Sequence, residues 1–460
     1  MHAHHTFRQT VAPLLALCAA VTSGCAGGNT LGTGGNTSAD AAIGGQDGTS
    51  AGSDATSGTD AGGSDTTTAD AKPNSCGPQV GARPSRRSEH VGEFDPVSGK
   101  LVMFGGSLAV PENCGFPAST FETETWVYDK ACDLWHEVKG NTPPGRARAN
   151  SMYRDIGAAQ YMIVTGGRYR AGKSGPYKLY DDLWAFDYKN EKWVEMSQGQ
   201  ARPKARANSS IVYAKKLDSL LLFGGNTSTS GLQIVPQNDV WRHDFKSGKW
   251  TQLQPGNGPS KRLWTAAMWD DKRDRMLVFG GGDASAFANN AKYFNGLWEL
   301  EVKAGSAKWA RIDTKSAEKP DRRFWAAMVH DAVNDRYLLF GGHDDGALGN
   351  RNDLWAFTPE DGQWVVIHVA DVFNKPANGF CSFPPDFTKM DDFSPERRYA
   401  GVFSAGPTEV WLHGGKTDCG VIDDLFRLDL KTYKWHEVTI STVGNGCVRK
   451  GGLKCNDYCF

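Results

Sequence analysis

Six arginines recur at one place in a repeating pattern, and their guanidinium groups are the first candidates for chemistry in this chain. A proline followed shortly by arginine opens a β-rich run in each unit, giving Arg87, Arg148, Arg206, Arg262, Arg323 and Arg398. Guanidinium is a planar fork of donors suited to carboxylates and other oxyanions, so six around one opening would make an anion clamp. Each could instead pair with an acidic residue of its own repeat, such as Asp182, Asp239, Asp353 or Asp424, and serve only local charge balance. Departures from the repeat point more sharply to a site. Trp264 and Trp325 follow two of the arginines where two other repeats carry Asn150 and Asn208, with Tyr293 and Phe294 close by in the fourth unit. They read either as a stacking wall for a sugar or aromatic side chain or as core packing. His343, Asp344 and Asp345 suit a cation, a basic ligand or plain solvation, and Arg168, Tyr169 and Arg170 break the pattern at the same place in another unit.

Other chemistry lacks a signature. No nucleophile elbow, paired-histidine metal helix or Gly-rich phosphate loop is present in the sequence. No cofactor is expected. Lys plus Arg (51) and Asp plus Glu (52) nearly cancel, which removes the field a nucleic-acid binder would use. The expected partner is a protein or a carbohydrate.

The elements that must position these residues are legible as a sixfold repeat. A Gly-Gly pair ends a β-rich run at Gly105-Gly106, Gly166-Gly167, Gly224-Gly225, Gly280-Gly281, Gly341-Gly342 and Gly414-Gly415. Downstream come an acidic or amide residue and an aromatic, as in Glu124 and Trp126 or Asp353 and Trp355, the fourth unit supplying Asn295 and Trp298. A second tryptophan follows a short turn: Trp135, Trp193, Trp250, Trp309, Trp364 and Trp435. This pattern resembles the kelch family, in which each unit is one blade of a propeller. The resemblance implies an all-β, six-bladed kelch β-propeller of four-stranded antiparallel blades, because one such sheet cannot bury both faces until neighbours close around an axis. Each repeat holds its own four strands, a to d, with turn residues such as Asp95-Pro96-Val97-Ser98-Gly99 between them.

Antiparallel strands place the start of a, the end of b, the b–c loop and the d–a connection on one side of the disc. That side receives the long segments, including 107–123, 168–180, 226–237, 282–294 and 367–395. Long loops on a rigid scaffold carry function, so the Gly-Gly side is the expected binding face.

Ahead of the repeats, Arg8 and the apolar run from Val11 to Val21 read as a signal peptide over residues 1–24. Ser23, Gly24 and Cys25 resemble the lipobox of bacterial lipoproteins, which implies a lipid on Cys25 as the sole membrane contact; ordinary cleavage and secretion is the alternative. Residues 25–75 are Gly, Ser, Thr, Ala and Asp, with too little apolar surface to repay ordering, so a disordered linker is expected before a propeller over 76–440.

Setting aside Cys18 and Cys25 leaves Cys76, Cys114, Cys132, Cys381, Cys419, Cys447, Cys455 and Cys459, an even number that suits disulfides in an exported chain. Topology favours Cys381 with Cys419 and leaves the rest open: Cys76 with Cys447 would latch the ring, and Cys114 could meet Cys132 only where the long loop folds back along the blade edge. Cys455 and Cys459 lie in a Cys-rich tail, 441–460, whose irregular spacing without histidine argues against zinc. The functional expectation is an exported binding module for a protein or glycan at the Gly-Gly face. The alternative, implied by likeness at repeat level to kelch-type sugar mutarotases and epimerases, is a small-sugar isomerase or hydrolase at the channel mouth.

Overall fold

The computed structural model describes Cys76 and residues 81–441, except 109–120, 173–174, 197–200, 231–232, 287–290, 304–305, 344–349, 371–393 and 418–419. Among the described residues six antiparallel blade sheets follow one another, each built from the strands of a single repeat, and a separate two-stranded hairpin, Arg168–Tyr169 with Lys178–Leu179, comes between strands b and c of the second. In blade one the strands are Val91–Asp95, Lys100–Phe104, Thr125–Asp129 and Leu134–Val138, paired in that order from a to d. The innermost strands of blades two to six are Asn150–Asp155, Ser210–Ala214, Ala266–Asp270, Ala327–Asp331 and Val402–Ala405. Each packs beside the next, and Val402–Ala405 packs beside Val91–Asp95, so the ring closes without exchanging strands between the chain ends.

Side-chain pattern explains the radial order. Strand b is buried on both faces and reads as an apolar run, for example Ser219–Phe223, SLLLF. Strand d buries one tryptophan and exposes its neighbours, as in Lys192–Glu195, KWVE, which gives the outer edge the charged character that discourages pairing with other chains. Among the described residues, six apolar clusters each join two neighbouring blades, such as Phe104 and Trp193 between blades one and two. At the last junction Phe94 of blade one meets Trp411 of blade six at 5.4 Å between ring centroids.

The Gly-Gly pair has a role beyond a turn. Its second N–H donates to the carbonyl of the arginine that opens the next blade: Gly106 to Arg146, Gly167 to Arg206, Gly225 to Arg262, Gly281 to Arg323, Gly342 to Arg398 and Gly415 to Arg87, all at 2.9–3.0 Å. The last of these bonds joins blade six to blade one. At the same junction His90 Nε2 and His413 Nδ1 approach to 3.0 Å, and burial pushes both histidines below their ordinary range, His90 to about 3.

One correction concerns the cysteines. Cys76 is bonded to Cys132, with Cα atoms 5.5 Å apart. This excludes two pairings that the sequence left open, Cys76 with Cys447 and Cys114 with Cys132. Cys132 lies in the c–d turn of blade one, on the side away from the Gly-Gly loops. The ring needs no latch because its last junction is already closed by the Gly415–Arg87 hydrogen bond and apolar packing. The expected Cys381–Cys419 pair, and Cys25, Cys114, Cys447, Cys455 and Cys459, lie outside the described residues.

The geometry makes a direct test of the junction. Gly224 has φ +65°, and a Cβ there would stand 2.7 Å from the Arg262 carbonyl oxygen. Gly224→Ala is expected to lower unfolding free energy by about 2 kcal/mol or more, combining left-handed backbone with a clash against main chain. Urea denaturation checks it; an unchanged midpoint would show that the junction yields freely.

Candidate functional site at the channel mouth

Each blade begins with an arginine held by the same set of contacts. Its Nε donates to the carbonyl two residues back, and Nη1 donates to the first glycine of the Gly-Gly pair, as Arg206 does with Lys204 and Gly224. A carboxylate at the start of strand c then receives the fork: Arg146 with Asp182, Arg206 with Asp239, Arg323 with Asp353 and Arg398 with Asp424, at 2.5–2.9 Å. In blade one Arg87 reaches Glu124 at 2.6 Å. Arg87, Arg206, Arg323 and Arg398 are therefore buried parts of the blade. Arg262 occupies the same position without an ion pair among the described residues, and burial pulls it down to about 10.

Blade two corrects the register read from sequence. Arg146, not Arg148, is the equivalent of the other five, as its bonds to Gly166 and Asp182 show. The signal was available in the proline spacing: Pro84, Pro143, Pro203, Pro259, Pro320 and Pro395 each stand three residues before the structural arginine. Arg148 instead belongs to a second, inner set lying two residues after those arginines.

That inner set forms the mouth. Glu89, Arg148, Asn208, Trp264, Trp325 and Ala400 all have φ between 51° and 61°. Left-handed backbone is uncommon outside glycine and costly for a bulky side chain, on the order of 1–3 kcal/mol, so neighbouring structure must impose it. Circumferential hydrogen bonds do so. Glu89 N–H donates to Ala400, Arg148 to Glu89, Asn208 to Arg148, Trp264 to Asn208 and Trp325 to Trp264, at 2.8–3.1 Å. One backbone conformation thus presents six side chains of five chemical types around one opening.

These side chains interlock. Arg148 binds both Glu89 carboxylate oxygens at 2.7 and 2.8 Å, and its guanidinium lies 4.9 Å from the Trp325 ring. Burial alone would raise Glu89, but Arg148 overrides it and holds the carboxyl below its ordinary value. Trp325 stacks on Tyr399 at 5.4 Å, and Trp264 meets Trp325 at 5.2 Å. Trp264 and Tyr293 are buried in a cluster with Phe324 and form the backing of this wall, while Trp325 remains half-buried at its surface. His343 joins the wall against Phe324 and Tyr399 and bonds Asn350 at 2.6 Å; Asp344 lies outside the described residues.

Positive charge is in excess here. Arg168 and Arg170 flank the Tyr177 ring at 4.1 and 4.5 Å, and neither has a carboxylate partner among the described residues. Burial, together with the charge of Arg148, pushes Arg168 well below its ordinary value. Lys416 lies 5.8 Å from the Tyr399 ring, and Tyr399 and Glu89 override the burial that would otherwise lower it. Sequence reasoning singled out Arg168 and Arg170 but missed Glu89, Tyr399 and Lys416, which only ring closure gathers.

Below the mouth the a strands line a cavity of about 220 Å³. Glu93 faces it and accepts from Ser151 Oγ at 2.7 Å and Ser404 Oγ at 2.8 Å.

Six blades in a closed ring define a β-propeller. The chain belongs to the kelch-repeat family: the KLHDC2/KLHL20/DRC7 Kelch-repeats domain matches residues 64–255 and, overlapping them, 210–384. It is similar to the leucine-zipper-like transcriptional regulator 1 homolog of Drosophila melanogaster, 26% identical over 60% of this chain and 25% of the fly protein. Similarity extends to an N-(sulfonatooxy)prop-2-enimidothioate sulfolyase of Thlaspi arvense, 25% identical over 57% of this chain and 72% of the plant protein. Kelch domain-containing protein 10 of Xenopus tropicalis is 24% identical over 64% of this chain and 65% of its own length. The chain thus spans a quarter of the fly relative and just under two thirds of the frog one. The solved structure of YjhT shares the fold, with a TM-score of 0.53 and 14% identity over 77% of this chain and 98% of that one.

Glu93 supplies a test of the cavity's electrostatics. Burial raises its pKa from 4.5 to about 7, with the hydroxyls of Ser151 and Ser404 pulling the other way. The folded chain holds a proton there that the unfolded chain has released, so this stability is full below pH 4.5 and is lost as pH rises through about 7. Glu93→Gln is expected to remove that dependence and to stabilise the protein above neutrality by up to about 3 kcal/mol. Urea titrations of both proteins below and above neutrality check it; parallel pH profiles would count against the shift.

Proposed function

We propose that this protein is an exported binding module whose propeller captures a protein or glycan ligand at the mouth of the central channel. The observation that carries the reading is the inner ring, where one repeated backbone conformation holds six side chains of five different types around one opening. A purely structural position would repeat its residue as the outer arginines do. The excess of Arg148, Arg168, Arg170 and Lys416 over Glu89 favours a ligand with negative charge, and Trp325 and Tyr399 offer flat surfaces for a ring or an aromatic side chain. Membership of a family whose propellers generally bind proteins supports the same reading. Export and attachment through a lipid on Cys25 complete the proposal, resting on the N-terminal sequence.

A second reading has one specific observation in its favour. A carboxyl titrating near neutrality beside the cavity, as Glu93 does, suits general acid–base work on a small sugar. The two readings part on turnover.

The test is a screen of the full chain against glycan and peptide arrays, followed by titration of any hit with Arg148→Ala and Trp325→Ala. Each variant is expected to lose at least about tenfold in affinity, the scale of one charge-assisted or stacking contact, while Lys246→Ala on the opposite side keeps full affinity. Binding that survives both mouth variants would remove the mouth from the mechanism, and conversion of a bound sugar would favour the enzymatic reading.

A further inference from the structure

Blade four departs from the other five at a point away from the inner ring. In blades one to five where strand c begins with an acid, the tryptophan two residues later donates its indole N–H to that acid: Trp126 to Glu124, Trp184 to Asp182, Trp241 to Asp239 and Trp355 to Asp353, at 2.7–3.1 Å. The carboxylate thus sits between the blade's arginine and its tryptophan. In blade four the corresponding residue is Gly296. Its carbonyl accepts from Gly280 N–H as the Asp239 carbonyl accepts from Gly224 N–H, which fixes the register. Asn295, which the sequence suggested for this role, is one residue away and donates its side-chain amide to the Pro320 carbonyl at 3.3 Å.

The donors that elsewhere hold the carboxylate are still in place. Arg262 donates from Nε to the Ser260 carbonyl at 3.0 Å, from Nη1 to the Gly280 carbonyl at 3.1 Å and from Nη2 to Ser260 Oγ at 3.0 Å. Arg87 makes the matching three contacts with Ser85 and Gly105 and adds a fourth, to Glu124. Arg262 lacks the fourth, although only 4% of its surface is exposed. Phe294 lies against the guanidinium at 4.0 Å and fixes its plane. Trp298 makes no hydrogen bond through its indole among the described residues, and its Nε1 lies 3.2 Å from where a Cβ on Gly296 would be. The carboxylates at this position keep 19% of their side-chain surface exposed in blades two and three and 4% in blades five and six, so the position ranges from solvent-edged to enclosed around the ring.

The geometry points to a carboxylate-binding site in blade four, formed by Arg262 and the indole N–H of Trp298, in which a ligand's carboxylate takes the place that Glu124, Asp182, Asp239, Asp353 and Asp424 fill in the other blades. A guanidinium fork joined by a second N–H donor matches the two oxygens of one carboxylate better than it matches a spherical or tetrahedral anion. Burial of an arginine without a carboxylate in direct contact supplies the driving force: the more distant charge of Asp283 only partly offsets desolvation, and pairing restores what desolvation removed. The site is independent of the channel mouth and stands whether or not the mouth binds a ligand.

Acetate and formate, with chloride and sulfate at matched ionic strength, are the probes on the full chain. Acetate is expected to raise the melting temperature saturably, by on the order of 2 °C at ten times its dissociation constant, and to shift the Trp298 indole resonance. A blocked tripeptide with a central aspartate, run beside acetate, shows whether the site also admits an acidic side chain; response to either supports the site and response to neither overturns it. Gly296→Asp supplies the missing carboxylate internally. Gly296 has no positive φ, and the substitution needs the Trp298 indole to move only a few tenths of an ångström. That variant is expected to melt higher than the parent and to lose the acetate response. Retention of the full response in a folded Gly296→Asp protein, or an equal response to chloride or sulfate, overturns the assignment. Should Gly296→Asp fail to fold, Trp298→Phe decides: a response weakened several-fold supports the site, and an unchanged one overturns it.

Discussion

The molecule depends on one hydrogen bond made six times, from the second glycine of each blade to the carbonyl of the arginine that opens the next. It is the point at which one sheet, unable to bury both faces alone, is joined to its neighbour in main chain as well as in side chain. The first glycine must approach the same carbonyl: a Cβ would stand 2.5–3.1 Å from it in every blade. Two successive glycines with positive φ are therefore a condition of ring closure, and the apolar clusters between blades can form only once that approach is made.

The arginine completes the same joint from inside. Its main chain accepts from the preceding blade, while its guanidinium ties the Gly-Gly carbonyl to the start of strand c within its own blade. A buried cation is tolerable there because a carboxylate meets it, and the paired groups hold each other ionised; Asp353 and Asp239 are both kept below their ordinary range despite burial. Blade four keeps the arginine and the joint but substitutes Gly296 for the acid, which shows that the main-chain bond and the carboxylate pair are separable parts. The joint is required for closure. The pair is a local charge solution that one blade leaves open.

A rigid joint of this kind frees the next two residues to vary. Beyond each arginine the chain turns through a left-handed residue, and in blades one to five its N–H bonds to the neighbouring blade; the same conformation accepts glutamate, arginine, asparagine, tryptophan and alanine. The strain of placing tryptophan at φ +58° or +51° is carried by the ring as a whole. Side chains from different blades thereby converge at the mouth on a hydrogen-bonded backbone.

By itself the sequence determined the blade count, the four-stranded blades, the Gly-Gly face and the structural place of the tryptophans, because each is a local pattern repeated six times. Even the correct arginine of blade two was legible in its distance from Pro143. Which cysteine meets Cys76, and which side chains face one another across the mouth, was decided only by the tertiary structure. Glu89 and Arg148 are far apart in sequence, and Arg148 and Trp325 farther still, yet closure of the disc sets them in contact. Spacing along the chain encodes the conformation of each repeat, whereas the contacts between repeats depend on the angle through which each blade turns about the axis, a quantity no single repeat contains.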